Sequence, residues 1–468
     1  MPTFPLFGTG QSGKSLTVTA QRHLNLYAEQ QGDPEKGMLA FYGTPGLDLR
    51  VSFGDTPVRG WIAVGDFYYV VHRGTFYSVD NSGTKTVIGA ALSTTTGRVD
   101  MSYDGAVILI TTGTNGYTYT IASNTLAVIV DADYPAAAKT CAWLDGWFVV
   151  DDGTSDIFWI SANGTAWNPL DFASAESNPD GLMRVFVDNG EVILAGEQTT
   201  EFWGDIGGQD FPFSSIKGAT IEFGLAARWS MVKFNSGVAG LFKPREAGQV
   251  QVMFLQGYTP RPLSSPEMNY IINNYATVSD ATFYSYVLGG HPMLQCNFPS
   301  ASASWLFDAL TGMWSPLEYG LNGARHRGEM HLDFLNKPLV ADYSNGNIYQ
   351  LNPTAYTDNG EPIAREIIGR HFFVDNQRVT VDELYVDMET GVGLSSGQGS
   401  DPEAMLQVSK NNGHTWSAEN WTKLGAIGKY LTRVVWRRLG MSRDWTFKIR
   451  ISDPVKVVFS FAAMKVRG

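Results

Sequence analysis

Trp61-Ile-Ala-Val, Phe67-Tyr-Tyr-Val-Val and Thr75-Phe-Tyr-Ser-Val are three strand-length runs of β-branched and aromatic residues, parted by short Gly- and Asp-containing breaks. Such residues suit the half-buried pleated surface of a sheet, and the breaks between them suit hairpin turns. The phrase returns as Val107-Ile-Leu-Ile with Tyr117-Thr-Tyr-Thr-Ile, as Trp147-Phe-Val-Val with Ile157-Phe-Trp-Ile, and as Val192-Ile-Leu-Ala with Thr200-Glu-Phe-Trp. Placing the first strand of each unit near Trp61, Val99, Thr140, Val185, Trp229, Thr282 and Arg325 gives a spacing of roughly 40 to 50 residues, the period of propeller blades. The expected fold is therefore all-β, a β-propeller of about seven blades. A chain of β-sandwiches is the competing architecture, but an immunoglobulin-like sandwich needs about 100 residues and these units are shorter.

The composition agrees. Fifty Gly and 21 Pro in 468 residues recur between apolar runs and act as turn punctuation. With 44 % hydrophobic and 17 % charged residues the chain can build a core, and its length calls for more than one domain or one large closed β architecture. The formal charge of −12 disfavours electrostatic gripping of a phosphate backbone. Cys141 and Cys296 stand far apart with no CxxC or Cys/His spacing, so neither a disulfide framework nor a zinc site is expected. Residues 1–16 show no basic segment followed by an apolar one, and no apolar run approaches about 18 residues, so neither an export signal nor a membrane span is expected.

One helix is expected, with Ser265 as its N-cap, Pro266 in its first turn and Met268, Ile271, Ile272 and Tyr275 at helical spacing, packed on the rim of a blade. Beyond Asn352 the repeat fades. The expected organisation is an N-terminal arm with first strands over 1–60, the propeller over 61–352 and a C-terminal β-sandwich-like domain over 353–468. The Gly/Ser-rich stretch 391–399 is expected to be a mobile loop.

Several motifs invite chemistry. Gly8-Thr-Gly-Gln-Ser-Gly-Lys14-Ser15 matches the phosphate-cradling GxxxxGK[ST] loop, but that loop works only between a buried strand and a helix, and two prolines precede it here. Ser409-Lys-Asn-Asn-Gly-His-Thr-Trp416 resembles the Asp-box turn, with Asn411 in place of Asp; its role would be structural. Such turns occur in sialidases, yet no arginine lies between Arg98 and Arg184, which spans two blades. Asp151, Asp152 and Asp156 could be drawn as an acid–base pair or a calcium site, and are read instead as solvated turn residues. The histidines, among them His23, His72, His291, His326, His331 and His371, show no HExxH spacing and are read as packed or surface residues. His326 and His331 would lie in one strand on opposite faces. Arg433, Arg437, Lys448 and Arg450 form a locally basic region within alternating strands, read as solvated or interface faces and not as a nucleic-acid reader. No catalytic, cofactor-binding or metal residue is assigned, and no cofactor is expected.

The chain resembles the packaged-DNA stabilisation proteins, the tail hub or nozzle subunits of short-tailed bacteriophages (podoviruses). The residues that carry the likeness are Asn25-Leu-Tyr, Tyr42-Gly-Thr-Pro-Gly-Leu47, the Ala175-Glu-Ser-Asn-Pro-Asp-Gly181 turn, Gln198-Thr-Thr-Glu-Phe-Trp203, the Ser265 helix, Glu389-Thr-Gly-Val, the Asn411-Asn-Gly turn and Val435-Trp-Arg-Arg-Leu-Gly440. The resemblance implies a non-enzymatic virion tail protein made in the host cytoplasm. It further implies a six-fold ring beneath the portal and its adaptor that closes the DNA exit channel, stabilises packaged DNA and anchors the tail needle and tailspikes. DNA would pass without sequence-specific binding. The alternative is a propeller that binds or cleaves glycans, with Trp143, Trp147 and Trp159 as sugar-stacking platforms. A P-loop packaging motor is disfavoured by fold.

Overall fold

The computed structural model describes residues 3–4, 8, 10–31, 38–89, 92–175, 180–208, 211–246, 248–375 and 377–467. Their strands gather into nine sheets, seven arranged as blades about an axis and two stacked as a sandwich. Blade 1 is the meander Val58–Val64, Phe67–His72, Thr75–Asp80 and Lys85–Gly89. Blades 2, 3 and 4 repeat it, starting with Asp100–Tyr103, Cys141–Leu144 and Leu182–Asp188. In blade 5 both Phe223–Leu225 and Val232–Phe234 pair with Gly237–Pro244, and blade 6 starts with Thr282–Leu288. The expected first strands thus lie within or beside observed ones, except that Trp229 sits in the short 3-10 turn Arg228–Ser230 and Arg325 ends blade 6 in Ala324–Arg325. Blade 7 begins at Gly328–Phe334.

Local turn chemistry sets the meander. The first hairpins of blades 3 and 4 turn on Asp145-Gly146 and Asn189-Gly190, where all four residues have positive φ, the two-residue geometry whose twist matches paired strands. Blade 7 is completed from far away: Asn347–Asn352 pairs antiparallel with Gly46–Ser52, which becomes an outer strand of that blade. Gly46 has to be glycine, since a Cβ there would meet the Thr357 and Ala355 carbonyl oxygens at 2.4 and 2.6 Å.

The remaining N-terminal strands belong to the sandwich. One of its sheets runs Leu26–Gln30, Leu39–Gly43, Val458–Arg467, Val379–Met388 and Val434–Ser442; the other runs Arg22–Leu24, Arg365–Ile368, Asp444–Ile451, Glu403–Ser409 and Asn420–Lys423. Between them lie Trp436, Trp445, Phe447 and Phe459 with Phe41 from the N-terminal segment, all buried. In Val379–Met388 the buried positions alternate, slip by one at the bulge between Val381 and Glu383, and alternate again, which keeps Leu384, Val386 and Met388 on the core face. Stretch 391–399 is not a free loop: the Leu394 amide donates to the Gly399 carbonyl at 2.7 Å and Gly399 packs on Pro454.

The helix Pro266–Asn273 starts where expected. Ser265 Oγ accepts from the Met268 amide at 3.3 Å, while Met268 and Ile272 face a buried cluster shared by blades 5 and 6. Tyr275 lies beyond its end and accepts a hydrogen bond from Trp305 Nε1 at 2.9 Å.

Candidate functional site: the propeller axis and the seam with the sandwich

The seam between propeller and sandwich is built around Asn25. Its side-chain amide donates to the carbonyls of Glu318 (3.0 Å) in blade 6 and Ala364 (2.8 Å) at the return into the sandwich, and its Oδ1 accepts from the Glu318 amide at 2.9 Å. Asn25 is 1 % exposed and has φ 52°, a left-handed value that Asn tolerates better than most residues. Its own carbonyl accepts from the Thr44 amide at 3.0 Å, joining the two N-terminal segments quoted above. Nearby, Tyr27 stacks on Tyr42 at 5.8 Å and meets His291 of blade 6 edge-on at 5.6 Å. Arg22 bridges Glu318 and Glu366, and Arg450 donates to the Leu321 carbonyl at 3.2 Å.

A cavity of about 170 Å³ remains at this seam, lined by Tyr27, Tyr42, Tyr356, Arg365 and Lys456 among others. Arg365 is fully buried; Nη2 donates to the Thr44 carbonyl at 3.3 Å, and Nε and Nη1 have no partner among the described residues. Burial pulls its guanidinium down to about 10 against the attraction of Asp358. Burial likewise pushes the Asp358 carboxyl up to about 7, opposed by Arg365 and Arg327.

The first strands of the blades surround the axis, and there a second cavity of about 260 Å³ opens among Trp61, Arg98, Arg184, Phe186, Met231 and their neighbours. Arg98 and Arg184, the two arginines that bracket the arginine-free stretch of sequence, meet here. Their guanidiniums lie 4.5 and 5.1 Å from the centre of the same ring, Trp229. Neither has an ion-pair partner among the described residues; Arg184 Nη1 donates to the Arg228 carbonyl at 3.2 Å, while Arg98 Nη1 and Arg184 Nε are buried without acceptors. Burial, and then the neighbouring Arg184 charge, pull Arg98 down to about 10, so it stays a cation at neutral pH. Sequence reading missed this pair because nothing local marks it. The only signal was the arginine distribution itself.

The motifs singled out in the sequence do not converge. Of the phosphate-loop lookalike, Thr9 lies outside the described residues; 10–15 is irregular chain followed by a turn, with no helix after it. It rests on the N-terminus of the Pro266–Asn273 helix, where Gln11 Nε2 donates to Ser265 Oγ at 3.1 Å, Lys14 Nζ lies 5.9 Å from the Tyr270 ring centre, and a Cβ at Gly13 would strike Glu267. In the Asp-box-like turn, Asn411 Oδ1 accepts from the Thr415 amide at 2.9 Å and Ser409 Oγ from the Gly413 amide at 2.9 Å. Trp416 is only partly buried, with Lys448 Nζ 4.6 Å from its ring centre. The turn Ser161-Ala-Asn-Gly-Thr-Ala-Trp167 in blade 3 repeats the design with the anchor fully seated: Asn163 Oδ1 accepts from the Thr165 and Ala166 amides, and buried Trp167 donates from Nε1 to the Gly164 carbonyl at 3.1 Å.

Asp152 and Asp156 serve turns, accepting from Thr154 and Ser155 and from Ser174. Asp151 differs from the solvated residue expected: fully buried, it accepts from the Lys139 and Thr140 amides and pairs with Arg228 at 2.9 Å, because the short hairpin turns it inward. His326, which is buried, lies before the strand that carries the half-buried His331, so the expected opposite-face pair in one strand is not formed. Trp143 and Trp159 share one face of blade 3, whereas Trp147, paired with Leu144, lies on the other, so the three make no common platform. Among the basic residues of the C-terminal strands, Arg437 pairs with Glu383 at 3.1 Å and Arg433 lies over Tyr385. Asp180 ties two of the quoted segments together, accepting from the Gln198 and Thr199 amides; 176–179 lie outside the described residues. Both cysteines are free and buried, and no group of three or more metal-ligating side chains occurs among the described residues.

Comparison with solved structures returns propeller-sized matches that share little sequence. A computationally designed protein, Ika8, is 11 % identical with TM-score 0.42, covering 65 % of this chain and 99 % of that one. Virginiamycin B lyase from Staphylococcus aureus is 10 % identical with TM-score 0.44, covering 64 % and 95 %. YCF48 from Cyanidioschyzon merolae is 11 % identical with TM-score 0.43, covering 66 % and 99 %. No curated protein matches. The family models are decisive: one described as the bacteriophage P22 Gp10 β-propeller matches residues 4–356 and one described as the bacteriophage P22 Gp10 β-sandwich matches 364–467. A propeller joined to a sandwich, matched in that order along nearly the whole chain, places this protein in the bacteriophage P22 Gp10 family of structural, non-enzymatic phage tail proteins.

Proposed function

We propose that the chain is one subunit of a six-fold tail hub ring, attached beneath the portal and its adaptor, that closes the DNA exit channel, stabilises packaged DNA and anchors the tail needle and tailspikes. The observation that carries this reading is the match of both Gp10 family models. Two physical features support it. The propeller and sandwich are joined by the Asn25, Arg22 and Arg450 contacts, which tie the two into one body suited to a ring subunit. The charge of −12 suits a conduit that DNA must leave without adhering, since like charges repel along its walls. That charge also opposes self-association of free subunits, and a symmetric template would overcome it by holding neighbours at high effective concentration.

The test is reconstitution. Purified subunit is mixed with DNA-filled heads that carry the adaptor but lack this protein, and the tails are imaged and DNA retention measured. Six-fold density with retained DNA is the expected result. Failure to bind any head–tail intermediate, with cleavage of a soluble glycan by the same preparation, would overturn it.

A further inference from the structure

The axial cavity holds more positive charge than its own side chains neutralise. Around it Arg228 is paired with Asp151 at 2.9 Å, Lys233 with Asp188 at 3.1 Å and Arg325 with Glu329 at 2.7 Å. Arg98 and Arg184 are left over. The remaining carboxylate on the lining, Asp100, is not within ion-pair distance of either and accepts instead from the Cys141 amide at 3.3 Å. Two guanidiniums therefore share one ring and one unpaired carboxylate in a confined space, where repulsion between like charges is stronger than in bulk water.

Scaffolding alone gives no reason for this arrangement. A buried charge without an ion-pair partner carries a desolvation cost of about several kcal/mol, and each cation–π contact with Trp229 returns only about 0.5 to 2 kcal/mol. The guanidinium fork is shaped for carboxylate and phosphate oxygens, and two forks with free N–H groups can engage both edges of one such head. Beside them Phe186, Met231 and Met330 supply an apolar wall. A volume of about 260 Å³ is small for a ligand pocket, which ordinarily holds about 300 to 1,000 Å³, so the occupant has to be compact.

We propose that the propeller axis binds one compact organic anion, its carboxylate or phosphate head held between Arg98 and Arg184 and its body against Phe186, Met231 and Met330. The site is independent of the ring assembly proposed above. Binding is measured by titration calorimetry and thermal unfolding of the full chain with three probes: inorganic phosphate, succinate and phenyl phosphate. Ionic strength is held constant with sodium chloride. Saturable binding at one site per chain is expected for at least one organic probe, with phenyl phosphate bound more tightly than inorganic phosphate if the head is a phosphate and succinate favoured if it is a carboxylate. Arg98→Gln and Arg184→Gln should each weaken binding at least about tenfold, the loss of one charge-assisted hydrogen bond, and Arg98→Lys should weaken it less. A measurement on the unaltered protein guards against misfolded variants: the bound probe should protect Arg98 and Arg184 from modification by phenylglyoxal, mapped by mass spectrometry. No saturable binding by any probe, or binding that leaves both arginines open to modification, would overturn the proposal.

Discussion

Replacing Asn25 tests whether the seam is held by one side chain. Asn25→Ala removes three buried side-chain hydrogen bonds, to the Glu318 carbonyl, the Ala364 carbonyl and the Glu318 amide. At about 1 kcal/mol net for each, and about 1 kcal/mol more for forcing an ordinary residue into the left-handed region at φ 52°, the expected loss is about 4 kcal/mol. Asn25→Gly loses the same bonds without the steric strain, so it should be milder by about 1 kcal/mol. Asn25→Asp keeps the acceptor for the Glu318 amide but aims a carboxylate at two carbonyl oxygens, and should be the worst of the three. Urea unfolding followed by tryptophan fluorescence gives the order, with far-UV circular dichroism checking whether propeller and sandwich still unfold together. If Asn25→Ala stays within about 0.5 kcal/mol of the unaltered protein, the range of ordinary surface changes, or if Asn25→Asp proves no worse than Asn25→Gly, the argument fails.

Four further outcomes follow from the same structure. Trp167→Ala should cost about 3 to 5 kcal/mol because its ring is buried, whereas Trp416→Ala, partly exposed under Lys448, should cost about 1 to 2 kcal/mol; thermal unfolding compares them, and equal losses would contradict the burial argument. Burial holds His23 at about 3 and His326 and His331 at about 4, below their unfolded value near 6.5, so their neutral forms support the fold above about pH 6.5 and that support is lost as pH falls toward 4; His23→Leu should flatten this acid loss in a pH series of unfolding curves. Asp358 works in the opposite sense, since a folded value near 7 makes the fold bind a proton that the unfolded chain gives up near 4; stability should decline as pH rises between those values, and Asp358→Asn should remove that decline and raise the melting temperature at pH 8. Lys14→Ala should change neither MgATP binding, expected to be nil, nor folding by more than about 0.5 kcal/mol, because its loop caps a helix side chain cluster and cradles nothing; stoichiometric ATP binding lost in the variant would refute this.

The legible parts of the fold were those written in local sequence. Hairpins such as Trp61 to Val79 announce themselves through alternation and turn residues, and the Ser265 helix through its cap and apolar spacing. The strand that completes blade 7 was not legible, because Gly46–Ser52 resembles any other short strand and its partner lies at Asn347–Asn352. The sandwich was seen only by its C-terminal half for the same reason: Phe41 and Leu26 enter its core from the other end of the chain. Site residues fared likewise. Arg98, just before the first strand of blade 2, and Arg184, within the first strand of blade 4, are unremarkable locally and acquire meaning only when the blades close a circle around Trp229. Asp151 was misjudged because a turn-forming sequence says nothing about which way a carboxylate at its base will point.

The use of early residues to finish late structure has a consequence for synthesis. Residues 22–52 leave the ribosome early, yet their strand partners include 347–352, 366–368 and 458–459. At about 5 to 20 residues per second, the N-terminal strands wait from about a quarter of a minute to about a minute and a half for their partners, during which the intervening blades can form but neither the circle nor the sandwich can be sealed. Contacts so distant in sequence make the final step slow and strongly cooperative. A nascent or truncated chain therefore presents unpaired edges and no finished seam, so incorporation into a tail is reserved for a molecule translated to its last strand.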